Sequence, residues 1–295
     1  MSRVRALVIA SHPGPSLAIT ALAALLAAQA APHGIGPALT APAMLALQFS
    51  IGWSNDAFDA SRDAAAGRTD KPLATGAIGP GPVWAAAGLS LMVALGMALS
   101  IGTTTGIITA VMAAAGWAYN AGLKSMLASG LMYLVGFGLV PAYAASTLPG
   151  HPWPRWQVTV AAALIGLGAH FVNVLPDLAA DRATGVRGLP QQVAALAGGR
   201  ASGRAGGGSS EANITARGEP AVRACAIVLL LAASALLLAA ARPGRRWIAA
   251  AGLAASAALA VVSARGRGRV PFGAAIGIAA VDVVLFATGG EALTS

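Results

Sequence analysis

The sequence predicts an all-α integral membrane protein, and three observations lead to that fold class. The mean hydropathy is +0.71. Only 10% of the residues are charged, whereas about a quarter are charged in a typical soluble domain. Apolar stretches close to the roughly 20 residues that a helix needs to cross a bilayer follow one another along nearly the whole chain. This balance excludes a soluble globular protein.

Nine apolar stretches are separated by proline, glycine and charged residues, and each predicts a transmembrane helix. The first also imitates a cleaved secretory signal, because Arg3 and Arg5 precede it and small residues end it. Against that alternative, Pro13 and Pro15 interrupt its start and eight further stretches follow. The nine predicted spans are residues 12–31, 37–54, 82–101, 103–121, 127–147, 157–176, 221–241, 246–263 and 270–288.

The distribution of positive charge predicts the orientation in the membrane. If the N-terminus is cytoplasmic, the nine spans place 15 of the 19 Lys and Arg residues inside, and only Arg155, Arg242, Arg245 and Arg246 outside. Such a bias is what the positive-inside rule expects. We therefore expect a multi-pass protein of a bacterial plasma membrane with its N-terminus in the cytoplasm. The net charge of +9 then reflects topology, and we expect no nucleic-acid partner.

Two polar segments, residues 55–81 and 177–220, interrupt the apolar pattern on the predicted cytoplasmic side. The second segment is rich in glycine and serine, which predicts a flexible linker at about 198–218. Since neither segment has the composition of a separate core, we expect one domain over residues 1–295.

Each polar segment opens with the same spacing of polar residues. Asn55, Asp59 and Asp63 are four residues apart, and so are Asn173, Asp177 and Asp181. A step of four advances about 40° around a helix, so each triplet is predicted to lie on one face. The repeat suggests two related halves, each giving an acidic helix end to a shared cavity.

The carboxylates in these segments predict a cation. Asp56 and the four aspartates of the triplets would repel one another if they converged without counter-charge. Mg²⁺ fits, because it takes oxygen ligands and is commonly held by one or two carboxylates together with substrate phosphates. No His or Cys lies within either triplet, which argues against zinc.

Basic residues near the two segments would supply the remaining contacts of a diphosphate site. The alternative for each of them is a snorkelling side chain or an inside-positive anchor. The candidates are Arg62, Arg68, Lys71, Lys124 and Arg182.

Four stretches resemble the motifs of the UbiA superfamily of intramembrane prenyltransferases, whose familiar member prenylates 4-hydroxybenzoate. NDAFDASRD is similar to the first acidic motif, and NVLPDLAADRATGVRGLP to the second. KPLATG resembles the basic-Pro-Leu stretch that follows the first motif, although relatives often carry Arg where this chain has Lys71. YNAGLK resembles the family's Tyr-to-Lys segment.

The resemblance implies a ring of nine transmembrane helices around a central cavity, with a polar cytoplasmic cap. It implies Mg²⁺-dependent transfer of a prenyl group from an isoprenoid diphosphate to an aromatic or other lipophilic acceptor within the bilayer. The implied roles are metal binding by Asp59, Asp63, Asp177 and Asp181, substrate contacts by Asn55, Asp56, Arg68, Lys71, Lys124 and Arg182, and cation stabilisation by the Tyr119 ring.

Other readings stay open at this point. A membrane terpene cyclase could use the same scaffold, with the allylic cation captured by its own alkene. A transporter could also place carboxylates in its membrane region, although it would hold them near the bilayer midplane. His170 and Asp282, each inside a predicted span, either serve the cavity or make hydrogen bonds between helices.

Overall fold

The computed structural model describes residues 1–30, 33–204, 211–266 and 270–288, and in these ranges every regular element is helical. Short 3₁₀ turns lie at Leu123–Ser125, Leu175–Asp177 and Pro243–Arg245. The α-helices are α1 (Arg3–Ala10), α2 (Pro13–Ala30), α3 (Ile35–Ala65), α4 (Pro80–Ile101), α5 (Thr103–Ala121), α6 (Ser129–Gly138), α7 (Val140–Ser146), α8 (Trp156–Val174), α9 (Leu178–Ala183), α10 (Leu189–Arg204), α11 (Glu211–Ala240), α12 (Arg246–Arg265) and α13 (Val270–Thr288).

The described chain falls into two compact units. The first comprises Met1–Ala121 and Val140–Pro154, and in it α3 packs against α2, α4 and α5. The second comprises Gly122–Leu139 and the described residues from Arg155 onward. In this unit α11 packs against α8, α10, α12 and α13.

The helices have the length and composition of a multi-pass membrane protein. Among the described residues, seven helical stretches are long and apolar enough to cross a bilayer, with α6 and α7 counted together as one stretch. The number is eight if α1 and α2, which are bent by 56° at their junction, form one span. The predicted fourth span, 103–121, coincides with the 19 residues of α5. However, α5 does not qualify by the same measure, because its threonines and Asn120 lower its hydropathy. The class is therefore confirmed, while the count of nine is not.

Both polar segments are more helical than the sequence suggested. The first begins inside α3, which continues as a helix of 31 residues to Ala65, so the first triplet lies on a helix, as its spacing predicts. The second contains α9, α10 and the first turns of α11. Helix thus reaches Arg204 from one side of the predicted linker and starts again at Glu211, while residues 205–210 lie outside the described ranges.

Glycine has a packing role between α10 and α11. A Cβ at Gly198 would overlap the carbonyl group of Ile214, and one at Gly218 would overlap the carbonyl group of Ala194. Small residues allow helix backbones to approach closely in membrane proteins. The glycines that predicted flexibility therefore serve, at these two positions, a tight contact between helices.

Two adjacent glycines of α10 test this contact. We expect Gly198→Ala to destabilise the protein by about 1–3 kcal/mol, because the methyl group would force α10 and α11 apart. Gly199 is exposed and a Cβ there would meet nothing within 4 Å. Gly199→Ala should therefore stabilise the helix by about 0.5–1 kcal/mol. Thermal unfolding of the two variants in detergent measures the difference, and equal midpoints would contradict the packing role.

Candidate active site

The first triplet lies on one face at the C-terminal end of α3. The side chains of Asp59 and Asp63 are largely buried, with exposed fractions of 8% and 9%. Asn55, one turn earlier, is partly exposed. The uninterrupted helix therefore gives the arrangement that the spacing of four predicted.

A glycine ends α3 directly after this triplet. Gly67 has a left-handed backbone with φ +67°. Its N–H donates to the carbonyl of Ala64 at 3.1 Å, and the N–H of Arg68 donates to the carbonyl of Asp63 at 3.0 Å. This bond pair is the Schellman motif, which satisfies the free carbonyls at a helix end. It fixes Asp63 within the last turn.

The second acidic segment ends in the same way. Gly185 has φ +84°, its N–H donates to the carbonyl of Arg182 at 3.1 Å, and the N–H of Val186 donates to the carbonyl of Asp181 at 2.8 Å. Both segments therefore share the pattern N-x₃-D-x₃-D-x₃-G, with the last aspartate at the equivalent place before the glycine. The spacing of the three polar residues predicted this repeat, whereas the glycine, which follows at the same spacing, was not part of the prediction.

The position of the first triplet makes it attractive to cations. The C-terminal end of a helix carries partial negative charge, so carboxylates in its last turns add to the dipole and do not oppose it. One cation already lies there, since Nη2 of Arg62 is 2.8 Å from Oδ2 of Asp59. The electrostatic potential at this helix end therefore favours binding of a cation and disfavours binding of an anion without a cation.

Asp56 joins a basic residue of the following loop to the turn before α2. Its side chain is only 2% exposed, and its Oδ1 lies 2.6 Å from Nζ of Lys71 and 2.7 Å from Nε2 of His12. An ionised carboxylate can only accept hydrogen bonds, so both nitrogens donate and His12 carries a proton on Nε2. Asp56 therefore holds both Lys71 and His12 through one carboxylate oxygen.

Packing of α1 and the loop against α3 holds this group in place. Leu73, two residues after Lys71, packs with Trp53 in a small apolar cluster around Ala6, and the Trp53 indole N–H donates to the carbonyl of Leu7 at 2.8 Å. This bond gives Trp53 a packing role. His12 had no predicted role in the site, because its contact with Asp56 joins residues that are 44 positions apart in the sequence.

The turn between α1 and α2 lies directly on the backbone of α3. A Cβ at Gly52 would overlap the carbonyl oxygen of Ser11. Gly52 is one helical turn before Asp56, and Ser11 immediately precedes His12. The absence of a side chain at residue 52 therefore sets the distance at which His12 meets Asp56.

Arg68 is held by the one aspartate of the first segment for which the sequence suggested no role. Its Nε and Nη2 donate to the two carboxylate oxygens of Asp70 at 2.9 and 2.8 Å. This hydrogen bonding lowers the pKa of the exposed Asp70 carboxyl to about 2. Asp70 therefore occupies one edge of the Arg68 guanidinium at neutral pH.

The second triplet departs from the regular helix that its spacing predicted. Pro176 and Asp177 lie in the 3₁₀ turn between α8 and α9, and Asp177 is exposed. At the end of α9, Nε2 of Gln191 donates to Oδ2 of Asp181 at 2.9 Å, and Nη1 of Arg182 donates to the carbonyl of Gln191 at 2.9 Å. Gln191, on the first turn of α10 and 1% exposed, thus contacts both charged residues.

Lys124 lies in the same unit as this second segment. It occupies the 3₁₀ turn before α6, and a Cβ at Gly188 would lie 2.5 Å from its carbonyl oxygen. The main chain of Lys124 is therefore in contact with the loop that follows the second triplet. Tyr119, the other end of the Tyr-to-Lys segment, belongs to α5 of the first unit and is partly exposed.

His170 and Asp282 make polar contacts between helices of the second unit. Nε2 of His170 lies 3.0 Å from Oγ of Ser129, and the Tyr133 ring stacks on the imidazole with centroids 4.3 Å apart. The fully buried Asp282 hydrogen-bonds Ser234. Both residues therefore make hydrogen bonds between helices, which is one of the two alternatives that the sequence left open.

The ligand atoms available in each acidic segment suit Mg²⁺. Among the described residues, no three or more His, Cys, Asp or Glu side chains are grouped as a metal site. Mg²⁺ does not require such a group, because one or two carboxylates with substrate phosphates and water complete its octahedron. The two aspartates of each segment therefore fit this ion, and nothing in either segment favours a nitrogen or sulfur ligand.

Comparison with known families decides the classification. The UbiA prenyltransferase family matches residues 16–271 of the chain, which include both acidic segments. The chain belongs to this family. The family and the enzyme class that the motifs suggested are thereby confirmed.

Solved UbiA structures share the fold at low sequence identity. A UbiA homologue from Archaeoglobus fulgidus, bound to DMAPP and Mg²⁺, is 15% identical over 95% of this chain and 98% of its own, with a TM-score of 0.66. The apo homologue from Aeropyrum pernix K1 is 19% identical over 98% of each chain, with a TM-score of 0.63. A digeranylgeranylglyceryl phosphate synthase is 13% identical over 99% of this chain and 100% of its own, with a TM-score of 0.66.

No curated protein sequence matches the chain. The family assignment therefore rests on the family match, while the solved structures establish the UbiA fold of a multi-pass membrane protein. They carry no residue roles to this chain at such identities.

The buried position of Asp56 leads to a test of the UbiA site. We expect Asp56→Asn to lower the free energy of unfolding by about 1–3 kcal/mol, because Lys71 would lose its counter-charge and a buried acceptor would change. Asp70→Asn also breaks a pair with a basic residue, but that pair is exposed, so little or no loss is expected. Thermal unfolding compares the two variants. A loss of stability in Asp56→Asn that is no larger than in Asp70→Asn would contradict a special stabilising role of the buried Asp56 group.

Proposed function

We propose that this UbiA-family protein transfers a prenyl group from an isoprenoid diphosphate to an aromatic or other lipophilic acceptor within the membrane, with Mg²⁺ as cofactor. The observation that carries the proposal is the pair of N-x₃-D-x₃-D-x₃-G segments, each placing its last aspartate in the final turn of a helix. The Archaeoglobus fulgidus homologue has been solved with DMAPP and Mg²⁺ and with GPP and Mg²⁺. Those complexes support the choice of donor and metal.

In this proposal the four aspartates hold the metal ions. Asp59 and Asp63 bind one Mg²⁺, and Asp177 and Asp181 bind a second. The bound metal supplies charge neutralisation for the departing diphosphate. Arg62 lies against Oδ2 of Asp59, so a metal ion held by Asp59 would share this carboxylate with Arg62. Gln191 keeps Asp181 in one orientation through its amide.

The basic residues bind diphosphate oxygens in different ways. Lys71 is a point-charge donor whose position is fixed by Asp56, which also offsets much of its charge. Arg68 contributes its guanidinium, which Asp70 holds in place. Lys124 and Arg182 are the candidate basic donors of the second unit. Beside the aspartates, the side-chain amide of Asn55 adds a neutral contact to the bound metal and diphosphate.

Ionisation of the allylic C–O bond leaves a carbocation that must be kept from water. We assign its stabilisation to the ring face of Tyr119, because an aromatic face attracts a cation. The acceptor then donates an electron pair to the cation and loses a proton to complete the transfer. The chemical identity of the acceptor is an outcome of the assay below.

We infer nine membrane crossings: the seven qualifying helical stretches, the bent pair α1 and α2, and α5. The 19 residues of α5 reach about 28 Å at 1.5 Å per residue, close to the thickness of the hydrocarbon core. With 15 basic residues inside against 4 outside, this count puts the N-terminus and both acidic segments in the cytoplasm. A reporter fused after Ser295 should then be extracytoplasmic, and a cytoplasmic signal would overturn the count.

The direct test is incubation of the purified protein with Mg²⁺ and a series of prenyl diphosphates, with and without aromatic and lipid acceptors, followed by mass spectrometry. We expect a prenylated acceptor, formed only when Mg²⁺, donor and acceptor are all present. A cyclised hydrocarbon or alcohol formed without acceptor would instead identify a terpene cyclase. Absence of any diphosphate cleavage over the series would contradict both enzyme activities.

Two variants show whether turnover uses the proposed metal ligands. Asp59→Ala and Asp177→Ala should each abolish Mg²⁺-dependent turnover while the protein still inserts and folds. Glu219→Ala is the matched control, because Glu219 is an exposed acid paired with Arg223 on α11 and has no part in the site. Full activity of either aspartate variant would remove that residue from the metal site.

A further inference from the structure

A buried amide on α5 is hydrogen-bonded to the first residue of the acidic repeat. Oδ1 of Asn120 accepts a bond from Nδ2 of Asn55 at 3.1 Å. Nδ2 of Asn120 donates to the carbonyl of Ile51 at 2.9 Å and to Oγ of Ser54 at 2.8 Å. Asn120 is 4% exposed, so these bonds are made away from solvent. The oxygen and both N–H groups of its amide are therefore hydrogen-bonded to residues of α3.

The partners of Asn120 determine which way its amide faces. A main-chain carbonyl can only accept, so the atom beside Ile51 must be the NH₂ group. The Ser54 hydroxyl donates its own proton to the same carbonyl at 2.9 Å, so it can only accept from Asn120. Two independent partners therefore fix the NH₂ group on one side and the oxygen toward Asn55.

The fixed oxygen of Asn120 determines in turn how Asn55 is oriented. Two amide oxygens cannot hydrogen-bond to each other, so Asn55 must turn its NH₂ group to Asn120. Its own oxygen is then the atom that this network leaves for a ligand. Asn55 lies on the face of α3 that carries Asp59 and Asp63. An oxygen there suits a metal ion or a bound hydroxyl group, whereas an NH₂ group would suit a phosphate oxygen.

We propose that Asn120 is a positioning residue that makes Asn55 an oxygen ligand of the first acidic segment. The inference rests on the proposed Mg²⁺ and diphosphate site and adds a residue from a different helix to it. Asn120 acts only through Asn55 and touches neither metal nor substrate. Residues in this supporting position typically change metal affinity by about 10–100-fold when they are removed.

The test measures binding and not turnover. In the presence of inorganic pyrophosphate, the Mg²⁺ concentration that gives half of the maximal rise in unfolding temperature is determined for each variant. Asn120→Ala should raise this concentration by about tenfold, because Asn55 is free to present either end of its amide. Ser90→Ala is the matched control, since Ser90 also donates across helices to α3, at the carbonyl of Ala46 and 2.8 Å, but far from the triplet.

A second substitution separates orientation from general support. Asn55→Asp alone should weaken Mg²⁺ binding, because a carboxylate oxygen would face the Asn120 oxygen. In Asn120→Ala that conflict is absent, and a carboxylate presents an oxygen whichever way it turns. Asn55→Asp should therefore restore most of the Mg²⁺ affinity of Asn120→Ala, whereas a merely structural defect would not be restored. If Asn120→Ala does not fold, the same pair is measured in Asn120→Ser.

The outcomes distinguish this inference from the function on which it rests. If Mg²⁺ with pyrophosphate does not stabilise the unmodified protein, the metal site itself fails and the role of Asn120 fails with it. If the unmodified protein is stabilised but Asn120→Ala has the same Mg²⁺ midpoint, only the positioning role is wrong. Loss of affinity that Asn55→Asp does not restore likewise overturns the orientation argument.

Discussion

Carboxylates at the end of an apolar helix need partners within the protein, and the organisation of the site follows from that need. Hydrocarbon next to the helix cannot solvate an ionised group, so each charge is retained only with hydrogen bonds or counter-charges around it. Arg62 serves Asp59, Lys71 and His12 serve Asp56, and Gln191 serves Asp181. These partners come from a neighbouring helical turn, a loop, a preceding helix junction and a following helix. The surrounding elements therefore hold the aspartates in place, and the aspartates in turn hold these elements in place.

The glycine that ends each acidic helix makes this arrangement possible. A left-handed residue after the last turn satisfies the terminal carbonyls and reverses the chain at once. After Gly67 the reversal is short enough for Lys71 to return to Asp56, and after Gly185 it brings Gln191 to Asp181. The same helix end has a negative dipole, which explains why basic side chains gather there even before any metal is considered. Helix termination and charge compensation are thus one structural solution, used in each of the two segments.

Spacing along one helix was predictable from the sequence, while contacts between distant segments were not. The step of four in the first triplet translates directly into one face of α3, and the apolar stretches translate into helices because backbone groups in lipid must bond internally. The pairing of His12 with Asp56 and of Asn120 with Asn55 depends on how α1 and α5 pack on α3, which no local pattern encodes. Glycine was misleading at Gly198 and Gly218, since the same residue signals either a mobile linker or a close helix contact. The regular spacing predicted one continuous helix for the second triplet, but Pro176 lies in a 3₁₀ turn that interrupts the helix there. A proline at this position could have been recognised from the sequence as a helix breaker.

The close contact of Gly52 with Ser11 affects how a mutational scan of this protein should be interpreted. A saturation mutagenesis scan scored by activity would place residue 52 among the least replaceable positions, alongside the aspartates. Yet the residue has no functional group, and its intolerance would come entirely from the carbonyl oxygen that lies where a side chain would begin. Ranking positions by loss of activity alone would therefore assign a catalytic role to Gly52, which has no side chain. Scoring the same library for protein abundance as well would separate the two kinds of position, because a steric clash at residue 52 lowers the amount of folded protein, whereas loss of a metal ligand does not.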